Sequence, residues 1–91
     1  MIYLISYALN RSDKDYSQLI NKLKSYETWW HYLDSTWLIS TNKDAENIYK
    51  DLMPFLDEDD SILIINVGKD RQGWLPKKAW EWIHKHLKEE D

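Results

Sequence analysis

The first residues of the chain have apolar side chains on both alternating sets of positions. Residues 2–9 read Ile-Tyr-Leu-Ile-Ser-Tyr-Ala-Leu, so Ile2 and Leu4 fall on one side of an extended chain and Tyr3 and Ile5 on the other. A strand with two apolar sides is buried on both faces, whereas a half-exposed strand alternates apolar with polar residues. The pattern therefore predicts a β-strand in a sheet that is covered on both sides.

Two later segments repeat apolar residues at the spacing of an amphipathic helix. Ser12, followed three positions later by Asp15, predicts a capping box at the start of the first helix. Thr41-Asn42 predicts the start of the second helix, and Pro54 predicts its end near Met53 because proline lacks a backbone donor. The two apolar stripes are Tyr16, Leu19, Ile20 and Leu23, and Ala45, Ile48, Tyr49 and Leu52.

The remaining segments predict three strands and a terminal helix. Thr28–Leu33 and Thr36–Ser40 are rich in aromatic and β-branched residues, and Asp34-Ser35 between them is typical of a hairpin turn. The continuous apolar run of Ser61–Val67 predicts a short, fully buried strand. Pro76 suits the first turn of a last helix, whose predicted apolar face contains Ala79, Trp80, Ile83 and Leu87.

The resulting order, β-α-β-β-α-β plus a C-terminal helix, predicts one α+β domain over residues 1–91 with a ferredoxin-like antiparallel sheet. Two helices cover one face of such a sheet. The other apolar face needs the terminal helix, a second copy of the chain, or both. The sequence leaves these alternatives open.

Composition excludes several classes of protein. The 91 residues include no cysteine, which excludes disulfide scaffolds and thiolate zinc sites. The formal charge of −4 excludes a wholly basic nucleic-acid coat. The longest aliphatic run, Ile62–Ile65, is far shorter than a membrane span, and the N-terminus lacks a basic signal region. We therefore expect a cytoplasmic protein with no membrane partner.

Histidines and acidic residues give no clear catalytic pattern. His31 and Asp34 are three positions apart, which places them on opposite faces of an unbroken strand and opposes a catalytic triad with Ser35. His84 and His86 do not share a helix face as zinc ligands do. We expect a structural role for His31 and a solvated turn at Asp57–Asp60.

Basic and aromatic residues are concentrated near the C-terminus. From Gly68 to Lys88 there are six basic and two acidic residues, a local charge of +4. Basic groups beside exposed aromatic rings can contact phosphates and stack on bases, although lysines on an outer helix face also serve solubility. The candidate binding residues in this stretch are Lys69, Arg71, Trp74, Lys77 and Lys78.

Several segments resemble the small SinR-like protein family. They are Ile2–Asn10, Lys14–Tyr16, Trp30–Ile39, Gly73–Pro76 and Ala79-Trp80. More distantly, the chain resembles the CRISPR-associated protein two family. That resemblance implies a ferredoxin-like homodimer, with metal-dependent nuclease activity in some members and a scaffold role on DNA in others.

One position departs from both families. Their first strand typically ends with an aspartate that is proposed to bind a divalent metal together with its copy across the dimer, whereas this chain has Ala8 at that catalytic position. A methyl group cannot coordinate Mg²⁺, so we expect no metal as written, and Mg²⁺ or Mn²⁺ only if position 8 were aspartate. Natural loss, an introduced change and a misleading resemblance would each explain Ala8. Asn10, Asp13 and Asp15 offer oxygen atoms nearby, but the two aspartates fit the first turn of a helix better.

These observations together predict a homodimer that binds nucleic acid or a nucleotide (RNA, DNA or a cyclic nucleotide) with little or no hydrolysis. Asn10 joins the five C-terminal candidates as a predicted binding residue. The alternative is a non-catalytic protein-interaction module of the toxin–antitoxin, defence or anti-defence type.

Overall fold

A computed structural model describes residues 1–11 and 13–87 of the chain. Within them, four strands form one sheet and three α-helices pack on it. The elements are β1 (Ile2–Ala8), α1 (Ser17–Lys24), β2 (Thr28–Leu33), β3 (Thr36–Ser40), α2 (Ala45–Leu52), β4 (Ser61–Asn66) and α3 (Lys77–Leu87). A short 3₁₀ turn over Met53–Phe55 follows α2 and contains Pro54, as the missing backbone donor predicts.

The sheet is antiparallel throughout and has the strand order β2-β3-β1-β4. β1 is central: its Leu4 lies opposite Leu38 of β3 on one side and opposite Ile65 of β4 on the other. β2 and β4 are the two edges. The β2 edge is irregular because its register with β3 shifts between Trp30 and Leu33.

The first face of the sheet is covered by α1 and α2. Leu19 and Leu23 of α1, with Ile48 and Leu52 of α2, pack in one buried cluster against the strands. Both predicted helical stripes therefore face the sheet. The strand residues of this first core are Tyr3, Ile5, Trp37 and Ile39.

The second face is covered in part by α3. Ala79 and Ile83 pack against Ile2, Trp30 and Leu38 in a separate buried cluster. Cover by the terminal helix is thus confirmed for part of this face, and the structure does not test cover by a second copy. The end of the predicted helical face at Leu87 has no described side chain.

Both predictions of a helix start are wrong. α1 begins at Ser17, and the Asp15 carboxylate accepts a hydrogen bond from the Ser17 amide at 2.9 Å; Ser12 lies outside the described residues. α2 is capped by Asp44, which accepts from the Asn47 amide at 2.9 Å. In α2 the N-cap carboxylate itself accepts the amide, whereas in α1 the N-cap is Tyr16 and the acceptor is Asp15, one residue before it. In both cases a carboxylate pairs with a first-turn amide that has no partner within the helix.

The prediction that β4 is fully buried is also wrong. β4 is an edge strand, and 56% of Leu63 and 49% of Ile65 are exposed. Ile62 and Ile64 point to the first core, but α3 covers β2, β3 and the start of β1 and leaves most of the second face of β4 open. The continuous apolar run gave a wrong prediction because it does not show whether another element of the fold covers the strand.

The hairpin and its flanking strands are confirmed. β2 and β3 have the predicted bounds, and the turn lies at Asp34-Ser35. Trp29 and Trp30 point to opposite faces, since Trp29 contacts Trp37 of the first core whereas Trp30 belongs to the second. None of the described helices is long and apolar enough to cross a bilayer.

Candidate functional site

A pocket of about 460 Å³ lies between α3 and the loop that follows β4. We call it the basic pocket; it is lined by Lys69, Arg71, Gln72, Gly73, Trp80 and His84. Trp80 and His84 are four positions apart and so lie on one flank of α3, where the helix meets the loop. Among the described residues, the lining contains two permanent cations and no acidic side chain.

The Arg71 side chain is partly buried and makes one hydrogen bond to the loop. Its Nη1 donates a hydrogen bond to the Lys69 carbonyl oxygen at 3.0 Å. Its Nε is buried and has no partner among the described residues. Because Nε is buried, the remaining N–H groups on Nη1 and Nη2 are the donors available to carboxylate or phosphate oxygens.

The ring of Trp80 gives the basic pocket an apolar wall. It lies 5.8 Å from the His84 ring, centroid to centroid, with 30° between the planes. Trp80 belongs to the predicted apolar face of the terminal helix, but it is only half-buried at the margin of the second cluster. An aromatic face beside an arginine and a lysine provides the two contacts that nucleotides use, base stacking and phosphate pairing.

A second cleft, of about 370 Å³, lies on the other flank of α3. We call it the tryptophan cleft; it is lined by Trp29, Trp30, His31, Tyr32, Lys78 and Trp82. Trp82 is anchored because its Nε1 donates to Thr28 Oγ1 at 3.0 Å. This cleft is mainly aromatic and has a single lysine, so it is less suited to a polyanion than the basic pocket.

The structure brings together only two of the five C-terminal candidates. Lys69 and Arg71 share the basic pocket, whereas Lys78 lines the tryptophan cleft and Lys77 is exposed in the first turn of α3. Trp74 is 100% exposed and does not line either cleft.

Sequence reasoning missed His84 and Gln72 in the basic pocket. The signal for His84 was available: it follows Trp80 by one helical turn, beside a basic loop. No comparable spacing signal pointed to Gln72.

The residues described at the end of β1 form no cluster of potential metal ligands. Ala8 is exposed and lies opposite Ser61 of β4. Asn10 is engaged with the turn before β4: its amide donates to Asp60 Oδ1 at 2.9 Å, and its Nδ2 donates to the Asp59 carbonyl oxygen at 2.6 Å. No group of three potential His, Cys, Asp or Glu ligands occurs in the described part of the chain. Because the nearby carboxylate of Asp60 is already occupied by hydrogen-bond donors, these residues do not fit the metal that the family resemblance implies.

Asn10 and the basic pocket lie at opposite ends of β1. Ala8 pairs with Ser61 at the start of β4, whereas the Val67 amide donates to the Ile2 carbonyl oxygen at the other end. The loop with Lys69 and Arg71 therefore leaves the opposite end of β1. Asn10 and the basic pocket do not form a single site within one chain.

The acidic turn before β4 is more ordered than the expected solvated turn. Asp60 accepts hydrogen bonds from the Tyr16 hydroxyl at 2.7 and 2.9 Å and from the Asp57 amide at 2.8 Å, in addition to that from Asn10. Lys14 pairs with Asp57 at 3.3 Å. Desolvation opposes the ionisation of Asp60, but these hydrogen bonds and the Lys14 charge outweigh it and hold the pKa of Asp60 below its usual value.

The lowered pKa of Asp60 predicts an acid-dependent loss of stability. Since the folded-state pKa lies below the unfolded one, ionised Asp60 stabilises the fold above the unfolded pKa, and this contribution is lost as the pH falls through the folded pKa. Asp60→Asn should lower the urea midpoint at pH 7 and flatten its decline between pH 5 and about pH 2. Asp59→Asn, which removes the same charge from the exposed neighbour, is the control. An equal decline in Asp60→Asn and the unsubstituted chain would contradict the assignment.

His31 has the structural role expected from the sequence. Its ring stacks on Trp37 with centroids 3.9 Å apart and 12° between the planes. Its Nε2 lies 2.9 Å from the Asp34 carbonyl oxygen rather than a carboxylate oxygen. His31 and Asp34 therefore do not form the pair that a catalytic triad needs.

Comparison with known proteins gives no relative on which to base a function. No protein-family model matches the chain, and neither the curated proteins nor the solved structures give a significant match. The functional proposal therefore rests on the geometry of the two clefts and of the sheet.

Proposed function

We propose that the protein binds nucleic acid or a nucleotide at the basic pocket and does not hydrolyse it. The observation that carries the proposal is that the basic pocket brings Lys69, Arg71 and His84 beside Trp80, with no acidic side chain among the described lining residues. Two cationic side chains attract phosphate, and an indole ring provides a surface on which a base can stack. RNA, DNA and a cyclic nucleotide all carry both groups.

The negative charge of the whole chain does not oppose this proposal. At physiological salt, charges separated by more than about 8–10 Å are largely screened, so a phosphate responds mainly to the groups lining the pocket. The acidic turn that contains Asp57 and Asp60 precedes β4, at the opposite end of that strand from the basic pocket. Its charges are also partly neutralised by Arg11 and Lys14.

The absence of hydrolysis is proposed from Ala8 and its surroundings. Metal-assisted phosphodiester cleavage needs oxygen ligands to hold the ion that activates water, and the side chains of Ala8 and Ser61 offer no carboxylate. We therefore propose a SinR-like protein with a ferredoxin-like fold that binds nucleic acid or a nucleotide but does not cleave it. This proposal accounts for both the family resemblance and the alanine at position 8. The antiparallel sheet with α1 and α2 on one face supports a ferredoxin-like arrangement.

Replacing Arg71 with glutamine tests the proposal. We expect Arg71→Gln to weaken binding of a fluorescein-labelled single-stranded oligonucleotide about tenfold at low salt, because one charge-assisted phosphate contact is lost. The slope of log affinity against log salt should decrease by about one unit. Fluorescence anisotropy across a salt series measures both quantities.

Arg11→Gln is the matched control, since it removes the same charge from a side chain that pairs with Asp13 and Asp57 away from the basic pocket. Equal weakening by Arg71→Gln and Arg11→Gln would move binding away from this pocket. No binding by the unsubstituted protein at low salt would overturn the proposal altogether.

A non-catalytic protein-interaction module is the second candidate function. The specific observation in its favour is the exposure of Leu63 and Ile65 next to each other on one face of β4. Monomeric proteins rarely leave neighbouring large aliphatic side chains open without a use. Loss of oligonucleotide binding at all salt concentrations would make this the preferred function.

A further inference from the structure

The outer edge of β4 lacks the features that normally protect a sheet edge. Its sequence, Ser-Ile-Leu-Ile-Ile-Asn, contains no charged residue and no proline, and its pairing with β1 is regular over the whole strand. Natural edges are usually blunted by lysine, proline or a bulge. The other edge, β2, has such an irregularity, whereas β4 combines a regular edge with exposed Leu63 and Ile65.

The backbone hydrogen bonds define which β4 residues face outward. The Val67 amide donates to the Ile2 carbonyl oxygen at 2.9 Å, so odd-numbered residues direct their backbone groups toward β1. Backbone direction alternates along an antiparallel strand. Ile62, Ile64 and Asn66 therefore present their N–H and C=O groups to the free edge.

We propose that two copies of the chain pair through β4 as antiparallel strands centred on Ile64. In this register Ile64 lies opposite Ile64 of the second copy, and Ile62 lies opposite its Asn66. Three hydrogen-bonded pairs with two bonds each give about six inter-chain bonds, which uses every outward-facing group. A shift in either direction leaves some of these groups unpaired.

The same register joins the exposed apolar side chains. Residues directly opposite in an antiparallel pair share a face, so Leu63 packs against Ile65 of the second copy, and the symmetry repeats the contact. The two-fold axis is perpendicular to the sheet. The second faces of both sheets, each with its own α3, therefore lie on the same side of one continuous sheet.

Charge also favours a second copy as the occupant of this edge. The acidic turn Asp57–Asp60 precedes β4, and the basic loop with Lys69 and Arg71 follows it. Antiparallel pairing places the acidic turn of each copy beside the basic loop of the other, at both ends of the interface. The paired strands themselves carry no charge, so the net charge of −4 on each chain adds no repulsion between β4 side chains.

This dimer differs from the one that the family resemblance implies. Ala8 lies opposite Ser61 at the start of β4, and antiparallel pairing sends the starts of the two β4 strands to opposite ends of the interface. The two Ala8 positions are therefore far apart. No site shared between them forms through this interface.

Lysine substitutions on the exposed face test the pairing. We expect the unsubstituted protein to sediment as a dimer at micromolar to submillimolar concentration and Leu63→Lys/Ile65→Lys to sediment as a monomer, because like charges then lie opposite each other. Leu63→Glu/Ile65→Lys should restore the dimer, since opposite charges then meet twice across the proposed register. The control is Leu33→Lys, at a leucine of the other edge strand that is 48% exposed.

Amide exchange provides a readout that tests the register without any substitution. Exchange at Ile62, Ile64 and Asn66 should slow as protein concentration rises, whereas Leu63 and Ile65, which already bond to β1, should show no comparable change. A monomeric unsubstituted protein would overturn the proposal, as would a dimer that Leu63→Lys/Ile65→Lys leaves intact. Oligonucleotide binding, measured on the same variants, distinguishes a failure of this pairing from a failure of binding at the basic pocket.

Discussion

Trp37→Ala is expected to remove about 3–5 kcal/mol from the free energy of unfolding. Trp37 is fully buried in the first core, and its Nε1 donates to the Tyr7 hydroxyl at 3.0 Å. The rings of His31 and Trp29 contact it at 3.9 and 5.3 Å between centroids. Truncation would thus leave a large cavity and an unpaired hydroxyl, and would remove the support of the hairpin.

Urea denaturation followed by circular dichroism measures this loss. A domain of this size has a total stability of about 5–14 kcal/mol, so the variant should be close to unfolding at 37 °C. Trp74→Ala is the matched control, because the side chain of Trp74 is fully exposed and its removal should change the midpoint little. A midpoint for Trp37→Ala equal to that of Trp74→Ala would show that the first core does not depend on Trp37.

The strands around Trp37 are the part of the fold that sequence predicts best. β2 and β3 have the predicted bounds because aromatic and β-branched residues fill both segments and a polar pair separates them. Helix starts were less predictable since several residues near each start can act as caps. Asp15 and Asp44 provide the acceptors in the structure, whereas the sequence pattern favoured Ser12 and Thr41-Asn42.

The candidate site was predictable only where neighbours in sequence stay neighbours in space. Lys69 and Arg71 are close in the chain and meet in the basic pocket, and the backbone of one accepts a hydrogen bond from the side chain of the other. Trp74 lies only three positions further on, yet it points into solvent. Loop direction determines that difference, and residue type gives no information about it.

The wrong prediction that β4 is buried also arose because tertiary structure is not visible in the local sequence. Apolar runs indicate that a strand prefers to be covered, but the covering element is set by tertiary structure. Here α3 packs over Ile2, Trp30 and Leu38, and leaves Leu63 and Ile65 without cover. The place where the sequence prediction fails is therefore the surface for which we propose a second copy.

The separation of the two buried clusters makes α3 the element that links stability to the proposed function. The first core contains α1, α2 and one face of the sheet, whereas the second depends on Ala79 and Ile83 of α3. α3 also supplies Trp80 and His84 to the basic pocket. Undocking α3 should therefore disassemble the pocket while the first core keeps its packing.

Ala79→Asp is expected to produce this separation. Ala79 is fully buried, and an unpaired carboxylate there costs about 3–5 kcal/mol, which favours release of the helix over burial of the charge. Tryptophan fluorescence should shift to longer wavelength as Trp30 becomes exposed, and oligonucleotide binding should be lost. The strand and α1–α2 signals in circular dichroism should persist.

Gln18→Asp is the control for this last substitution, because it adds the same charge at an exposed position of α1. It should leave both the fluorescence and the binding unchanged. If Ala79→Asp kept full oligonucleotide affinity after α3 had been released, the ligand would have to bind away from Trp80 and His84. If the variant instead unfolded completely in one transition, the two clusters would be a single cooperative unit, and the hydrophobic contacts of α3 would be needed for the whole sheet.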